Sequence, residues 1–108
     1  MTYDEVVQMA LELPGVETST SYGTPALKVR GKFMARLREP DVMVLKPIDD
    51  IEKQMLMETQ PETFFITDHY RGYPTVLIRL SRIEPVQLTA LLEQCWRQLA
   101  PKRLVALR

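Results

Sequence analysis

The sequence predicts one two-layer α+β domain over residues 1–108, in which helices at both ends pack on an antiparallel sheet. A chain of 108 residues with 45% hydrophobic side chains suits a single domain with a single core. Apolar residues recur at helical intervals near both ends of the chain. Short alternating segments separated by turn residues fill the middle. The expected order of elements is therefore α-β-β-β-α-β-β-α.

The first helix has a clear start and stop. Thr2 and Glu5 have the spacing of a capping box, and apolar residues follow at helical intervals. The Pro-Gly pair at 14–15 stops a helix. We therefore expect a helix over 3–13, followed by a polar loop with at most a short edge strand at 16–20.

Two further helices are expected. Asp49 or Asp50 can cap the second, which would run to Thr59. Its residues predicted to face inward are Ile51, Met55 and Leu56. Pro85 suits the first turn of the last helix, and Pro101 ends it. The apolar stripe of that helix, which we expect to lie against the sheet, consists of Leu88, Leu91, Leu92, Cys95 and Leu99.

Residues 26–38 alternate between apolar and charged side chains and predict a β-hairpin. A two-residue turn at Arg30 and Gly31 would place Leu27 and Phe33 on opposite faces, whereas a three-residue turn places them together. Gly31 supplies the positive φ that such a turn requires. The three-residue turn is therefore expected, with Leu27, Phe33, Ala35 and Leu37 on one face and Lys28, Lys32, Met34, Arg36 and Arg38 on the other. Further strands are expected at 42–46, 64–67 and 75–80.

Charge is balanced over the chain but not along it. The 14 basic side chains equal the 14 acidic ones, so net charge predicts no polyanionic partner. No acid interrupts residues 26–38, whose bases are Lys28, Arg30, Lys32, Arg36 and Arg38. We interpret these five residues as candidate nucleic-acid contacts, which would form a hairpin wing that binds phosphates. The alternative is a solvated face that prevents edge-to-edge strand pairing.

The segment after the predicted strand at 64–67 is a second candidate site. Its polar and aromatic residues, a candidate ligand loop, are Asp68, His69, Tyr70, Arg71 and Tyr73. Loops carry binding residues disproportionately, and the alternative is a turn held by its own side chains. The rings of Tyr22, Tyr70 and Tyr73 are able to stack on bases, although partial core packing is the favoured interpretation.

Other classes of site lack their required residues. His69 is the only histidine and Cys95 the only cysteine, so we expect no metal site and no intrachain disulfide. The glycines are isolated, without a phosphate-cradling loop. No apolar run approaches the roughly 20 residues that cross a bilayer, and the N-terminus lacks the features of a secretory signal. We expect a cytoplasmic, non-enzymatic protein without catalytic residues, cofactor, metal or membrane partner.

Six segments, taken in their order and spacing, resemble the MmcQ/YjbR family of small bacterial proteins. They are LPGVE at 13–17, YGTP at 22–25, KVRGKF at 28–33, HYRGYP at 69–74, VLIRL at 76–80 and CWR at 95–97. The resemblance implies an open antiparallel sheet with helices packed on it, of the secretion-chaperone or frataxin-like kind. It also implies DNA binding through a double-wing arrangement, and it brings no catalytic residues.

The favoured interpretation is a DNA- or nucleic-acid-binding module that uses the basic hairpin as a wing, with electrostatic contacts and low sequence specificity. A protein-interaction or chaperone-like adaptor is the first alternative, which an exposed apolar face made by Met34, Val42 and Val44 would favour. A small-ligand binder or enzyme centred on the 68–73 loop is the second, which a closed pocket containing His69 would favour. The chain is expected to be a monomer or a weak homodimer.

Overall fold

The computed structural model describes all of residues 1–108. The strands are β1 (Val16–Ser21), β2 (Thr24–Val29), β3 (Lys32–Glu39), β4 (Val42–Leu45), β5 (Phe64–Phe65) and β6 (Val76–Arg79). The helices are α1 (Tyr3–Ala10), α2 (Asp50–Thr59), α3 (Pro85–Leu99) and α4 (Lys102–Val105), and a 3₁₀ turn spans Asp68–Tyr70. The strands form one antiparallel sheet in the order β1-β2-β3-β4-β6-β5, which confirms the α+β class. None of the helices is both long enough and apolar enough to cross a membrane.

The main core lies between one face of the sheet and the helices. The predicted stripe of α3 faces this core: Leu88, Leu91, Leu92 and Cys95 are buried, and Leu99 is half-buried. Trp96 is fully buried beside them, and its Nε1 donates to the carbonyl oxygen of Pro14 at 2.7 Å. This bond gives the buried indole N–H its partner and ties α3 to the turn that follows α1.

The predicted capping box of α1 is confirmed. The Glu5 N–H donates to Thr2 Oγ1 at 3.2 Å, and the Thr2 N–H donates to Glu5 Oε1 at 2.8 Å. The helix ends at Ala10 rather than at Leu13, because the Leu13 N–H donates to the Ala10 carbonyl oxygen in a tighter turn at 3.0 Å. This turn leads directly into the sheet.

The segment after α1 is a complete edge strand, longer than predicted. β1 pairs with β2 along its whole length, and the ladder ends with Ser21 opposite Thr24. Tyr22 and Gly23 form the turn, with φ of 54° and 77°. Positive φ at both positions is the type I′ pattern, whose twist matches that of hairpin strands. The polar composition of β1 obscured the strand, because an edge strand can be held by backbone pairing without an apolar face.

The turn between β2 and β3 has two residues, so the predicted three-residue turn is wrong. Val29 lies opposite Lys32, and Arg30 and Gly31 have φ of 49° and 85°, another type I′ pattern. Val29 belongs to the main core, so Lys32 is on the helix side of the sheet and not on the face of the other hairpin bases. The prediction that Lys32 shares their face is therefore also wrong.

A β-bulge at Met34 corrects the register that the short turn would otherwise impose. Lys28 is opposite Phe33, yet the preceding residue Leu27 is opposite Ala35. Met34 is the extra residue, and it is buried in the main core with Ala35. Phe33 consequently lies on the face away from the helices. The predicted faces of Phe33 and Met34 are both wrong, because sequence alternation does not reveal an inserted residue.

Helix α2 begins where predicted but is rotated from the expected orientation. Leu56 is buried as predicted, whereas Ile51 and Met55 are 86% and 54% exposed. Lys53 is buried in their place, and its Nζ donates to the carbonyl oxygen of Tyr73 at 2.7 Å. This hydrogen bond attaches the loop that precedes β6 to α2.

Candidate functional site

The sheet face that points away from the helices, which we call the open face, carries no helix. Directly paired residues share a face. One row across the open face consists of Ala26, Arg36, Val44, Leu77 and Phe65. A small apolar cluster is buried on this face beneath three aromatic rings, and it comprises Val42, Val44 and Leu77 under Phe33, Phe65 and Tyr70. The open face therefore combines a buried apolar base with polar and aromatic groups above it.

A cavity of about 920 Å³, which we call the sheet cavity, lies on the open face. It is bounded by the β1–β2 turn, β3, β4 and the segment before β6. Its lining residues are Ser21, Tyr22, Thr24, Phe33, Arg36, Arg38, Glu39, Val44, Lys46, His69, Tyr70, Tyr73 and Thr75. The volume falls within the usual range of small-molecule sites, so the cavity can admit a ligand of nucleotide size.

Arg36 is held in the sheet cavity by neutral groups. Its Nη1 donates to Thr24 Oγ1 at 3.3 Å, and its Nη2 donates to the Tyr70 hydroxyl at 3.1 Å. The guanidinium carbon is 5.2 Å from the centre of the Tyr22 ring, within the range of a cation–π contact. Because none of these partners is an acid, the side chain is oriented while its charge is not neutralised.

Two other bases line the sheet cavity. The Lys46 ammonium lies 5.8 Å from the centre of the Phe33 ring and forms no ion pair. Arg38 pairs with Glu39 at 2.8 Å, an exposed contact of the kind that contributes little to stability. Three bases thus line the cavity with one acid, and its charge is positive.

Ring contacts link the aromatic residues of the segment before β6, and the Tyr70 hydroxyl joins them to Arg36. His69 meets Tyr70 edge-on, with ring centres 5.0 Å apart, and stacks on Tyr73 at 6.5 Å. Tyr22 and Tyr73 are 89% and 57% exposed, so the expectation of core packing is wrong for both. Tyr70 packs on the apolar cluster of the open face, as partial core packing predicts.

One buried polar side chain, Thr75, lines the sheet cavity, and another, Lys53, holds the backbone of Tyr73. Thr75 is 5% exposed, and its hydroxyl has no hydrogen-bond partner in the chain. Leaving such a group unsatisfied costs about 1–3 kcal/mol. Lys53 is 4% exposed, and its nearest carboxylate, that of Asp50, is 3.9 Å away. Its bond to the Tyr73 carbonyl oxygen fixes the backbone from which the Tyr73 ring projects.

The five bases predicted as nucleic-acid contacts do not form one surface. Arg36 and Arg38 line the sheet cavity. Lys28 lies on the open face outside the cavity, and Arg30 lies in the exposed β2–β3 turn. Lys32 is on the other side of the sheet. The acid-free run of sequence is therefore divided among four locations.

The predicted ligand loop is also divided. His69, Tyr70 and Tyr73 line the sheet cavity, whereas Asp68 and Arg71 pair with each other at 2.8 Å in solvent. The basic hairpin and the loop, which the sequence presents as separate candidates, thus contribute to one site. His69 has only aromatic contacts there, without the carboxylate partner that orients a general base.

Six residues of the sheet cavity were not predicted as site residues: Ser21, Thr24, Phe33, Glu39, Lys46 and Thr75. Phe33 was assigned to the core because the bulge was not foreseen. Lys46 lies beyond the acid-free run, although its spacing of two from Val44 does place both on one face of a strand. Thr75 was treated only as the start of a strand, and no sequence signal marks its unpartnered hydroxyl.

The family model of YjbR matches residues 11–98, a span that contains every residue of the sheet cavity. The chain belongs to the YjbR family. It is also similar to the uncharacterized proteins Mb2600 of Mycobacterium bovis and Rv2570 of Mycobacterium tuberculosis. Each is 38% identical over 65 residues, which cover 60% of this chain and 50% of the relative. The matched region thus spans about half the length of these curated relatives.

Proposed function

We propose that this YjbR-family protein binds nucleic acid on the open face, with the sheet cavity as its contact site. The supporting observation is that Arg36 and Lys46, neither of them ion-paired, line the same cavity as the exposed rings of Tyr22 and Tyr73. Lys and Arg side chains neutralise phosphates and release counterions, while aromatic rings on a sheet stack on nucleobases. The combination suits a nucleic acid better than it suits a simple anion.

The binding would be electrostatic and weakly dependent on sequence. Only three Lys and Arg side chains line the sheet cavity, so the number of phosphates contacted is small. Asparagine, the usual partner of adenine, is absent from the chain, and no glutamine lines the cavity. The proposal keeps the nucleic-acid ligand that the family resemblance implies, keeps Arg36 and Arg38 from the five predicted contacts, and adds Lys46.

An exposed apolar face at Met34, Val42 and Val44 would favour the adaptor alternative. These residues are 0%, 8% and 1% exposed. An apolar docking surface at this position is therefore lacking, and the open face instead presents polar and aromatic groups. We rank the adaptor below the nucleic-acid binder for this reason.

The direct test is a fluorescence-anisotropy titration with a labelled oligonucleotide at low salt. The variant Arg36→Glu/Lys46→Glu reverses both unpaired bases of the sheet cavity. We expect it to lose most of the affinity of the wild type, because the reversed charges repel phosphates. If two phosphate contacts are lost, the slope of log affinity against log salt should flatten by about 1.4 for a single strand.

The matched control is Lys102→Glu/Arg103→Glu, which makes the same change in net charge. Both residues are exposed on α4, and neither lines the sheet cavity. It should bind nearly as well as the wild type. Thermal melts followed by circular dichroism check that every variant is folded, and Lys46→Glu alone replaces the double variant if Arg36 proves necessary for folding. Equal losses in the two double variants would contradict the proposal, since binding would then depend on net charge alone.

A further inference from the structure

We propose that the sheet cavity is selective for unpaired nucleotides: bases of a single strand stack on Tyr22 and Tyr73 while the intervening backbone contacts Arg36 and Lys46. This inference rests on the proposed nucleic-acid function and specifies the form of its ligand. It follows from the position of the tyrosine rings, from the small number of Lys and Arg side chains in the cavity and from the buried hydroxyl of Thr75.

The two exposed tyrosines lie at the ends of a continuous series of contacts. Tyr22 is under the Arg36 guanidinium, Arg36 donates to the Tyr70 hydroxyl, and Tyr70 meets His69, which stacks on Tyr73. Arg36 thus belongs to a series of contacts that begins and ends with an exposed tyrosine. An extended single strand presents the same alternation, with a phosphate between successive bases.

A duplex cannot use the exposed rings in this way. Its bases are paired and stacked within the helix, so stacking on a protein ring requires an unpaired or extruded base. Duplex binding would depend on phosphate contacts alone, and the sheet cavity supplies only Arg36, Lys46 and the partly neutralised Arg38. The aromatic groups therefore favour the unpaired strand, while the three basic side chains favour neither the single strand nor the duplex strongly.

The hydroxyl of Thr75 is the side-chain group that we propose as the polar partner of a base in the sheet cavity. It is buried, lines the cavity and lacks a partner in the chain. Buried hydroxyls are normally hydrogen-bonded, and the exceptions call for an explanation. Thr75 directly precedes β6 and lies two residues after Tyr73, and both residues line the sheet cavity.

The experiment compares three probes: an oligothymidylate of about eight nucleotides, an abasic strand with the same number of phosphates, and a hairpin duplex. We expect oligothymidylate to bind about 5- to 140-fold more tightly than the abasic strand for each base that stacks. We also expect it to bind more tightly than the duplex, despite the higher charge density of the duplex.

Two variants connect this preference to the cavity. Tyr73→Leu should reduce the difference between oligothymidylate and the abasic strand, whereas Tyr73→Phe keeps the ring and should retain it. Thr75→Val removes the hydroxyl without changing the shape of the side chain, and should weaken oligothymidylate binding but not abasic binding. A purely structural Thr75 would leave both affinities unchanged.

The outcomes separate this inference from the proposed function. If none of the three probes binds at low salt, nucleic-acid binding itself is wrong. If all three bind and the abasic strand or the duplex binds as tightly as oligothymidylate, nucleic-acid binding stands and selectivity for unpaired bases is wrong.

Discussion

Replacing Tyr22 by Asn should make the protein more stable and a weaker binder of single strands. Tyr22 occupies the first position of a type I′ turn with φ of 54°. A bulky residue is unusual in this left-handed region, whereas Asn before Gly is the preferred pair for such a turn. The variant therefore keeps the backbone of the turn and removes only the ring and its strain.

The gain in stability follows from the exposure of the ring. A left-handed conformation costs a residue other than glycine about 1–2 kcal/mol, and Asn avoids much of that cost. The ring is 89% exposed, so its removal leaves no cavity, and the main loss is the contact with Arg36. An exposed cation–π contact contributes about 0.5–1 kcal/mol. A net gain of about 0.5–1 kcal/mol would raise the melting temperature by about 2–8 °C in a domain of this size.

The loss of affinity follows from the stacking proposed for Tyr22. One base–aromatic stack is worth about 1–3 kcal/mol, so oligothymidylate should bind about 5- to 140-fold more weakly to the variant. Calorimetric melting gives the stability change, and fluorescence anisotropy gives the affinity. Tyr22→Phe is the control, because it keeps both the ring and the strained backbone and should resemble the wild type in both measurements.

The reasoning would be refuted in part by either measurement. A lower melting temperature for Tyr22→Asn would mean that the exposed ring contributes more to folding than its contacts suggest. A higher melting temperature with unchanged affinity would confirm the strain in the turn and remove Tyr22 from the binding site.

Three further predictions concern the rest of the molecule. Leu92→Ala should cost about 2–5 kcal/mol in urea unfolding, because Leu92 is 1% exposed in the main core; a loss well under 1 kcal/mol would contradict that packing. Burial, and to a smaller extent the charge of Glu52, raises the pKa of the Cys95 thiol to about 12. A thiol reagent should therefore modify Cys95 only after denaturation, and rapid labelling of the native protein would argue against its burial. The Thr2 N–H, and then the Thr2 hydroxyl, lower the pKa of Glu5 from its ordinary 4.5, so the capping box stabilises the protein above that value and ceases to do so as pH falls through the folded-state pKa. Melting temperatures of wild type and Glu5→Gln should accordingly differ at neutral pH and converge in acid, and a constant difference would exclude this titration.

The parts of the fold that sequence predicts well are those with local signals. The capping box of Thr2 and Glu5 and the stripe around Leu92 depend on short spacings that define a helix wherever it packs. The same spacing did not determine which face of α2 points inward. There Lys53 is buried and donates to the Tyr73 carbonyl oxygen, a long-range contact that local spacing does not reveal, while Ile51 is exposed.

The candidate site was less predictable, because it depends on register. Arg36 was expected on an exposed face and lies there, but Lys32 lies on the opposite side. One inserted residue exchanges the faces of everything beyond it, and neighbouring apolar residues such as Phe33 and Met34 give no clue to which of them is inserted. The union of the hairpin with the His69 loop is a tertiary contact without any local pattern.

The bulge at Met34 links the binding site to the core, because it sets the faces of β3 for both. It gives the main core two consecutive residues, Met34 and Ala35, and it spaces Phe33 and Arg36 three apart on the open face, where regular alternation would separate them. Phe33 then lies where its ring meets the Lys46 ammonium, and Arg36 lies within reach of the rings. Deleting Met34 should therefore remove a buried side chain together with the bulge, and leave Phe33 and Arg36 on the open face in regular alternation with Ala35. Bulges are common beside functional sites for this reason: one extra residue directs side chains that a regular strand would point elsewhere.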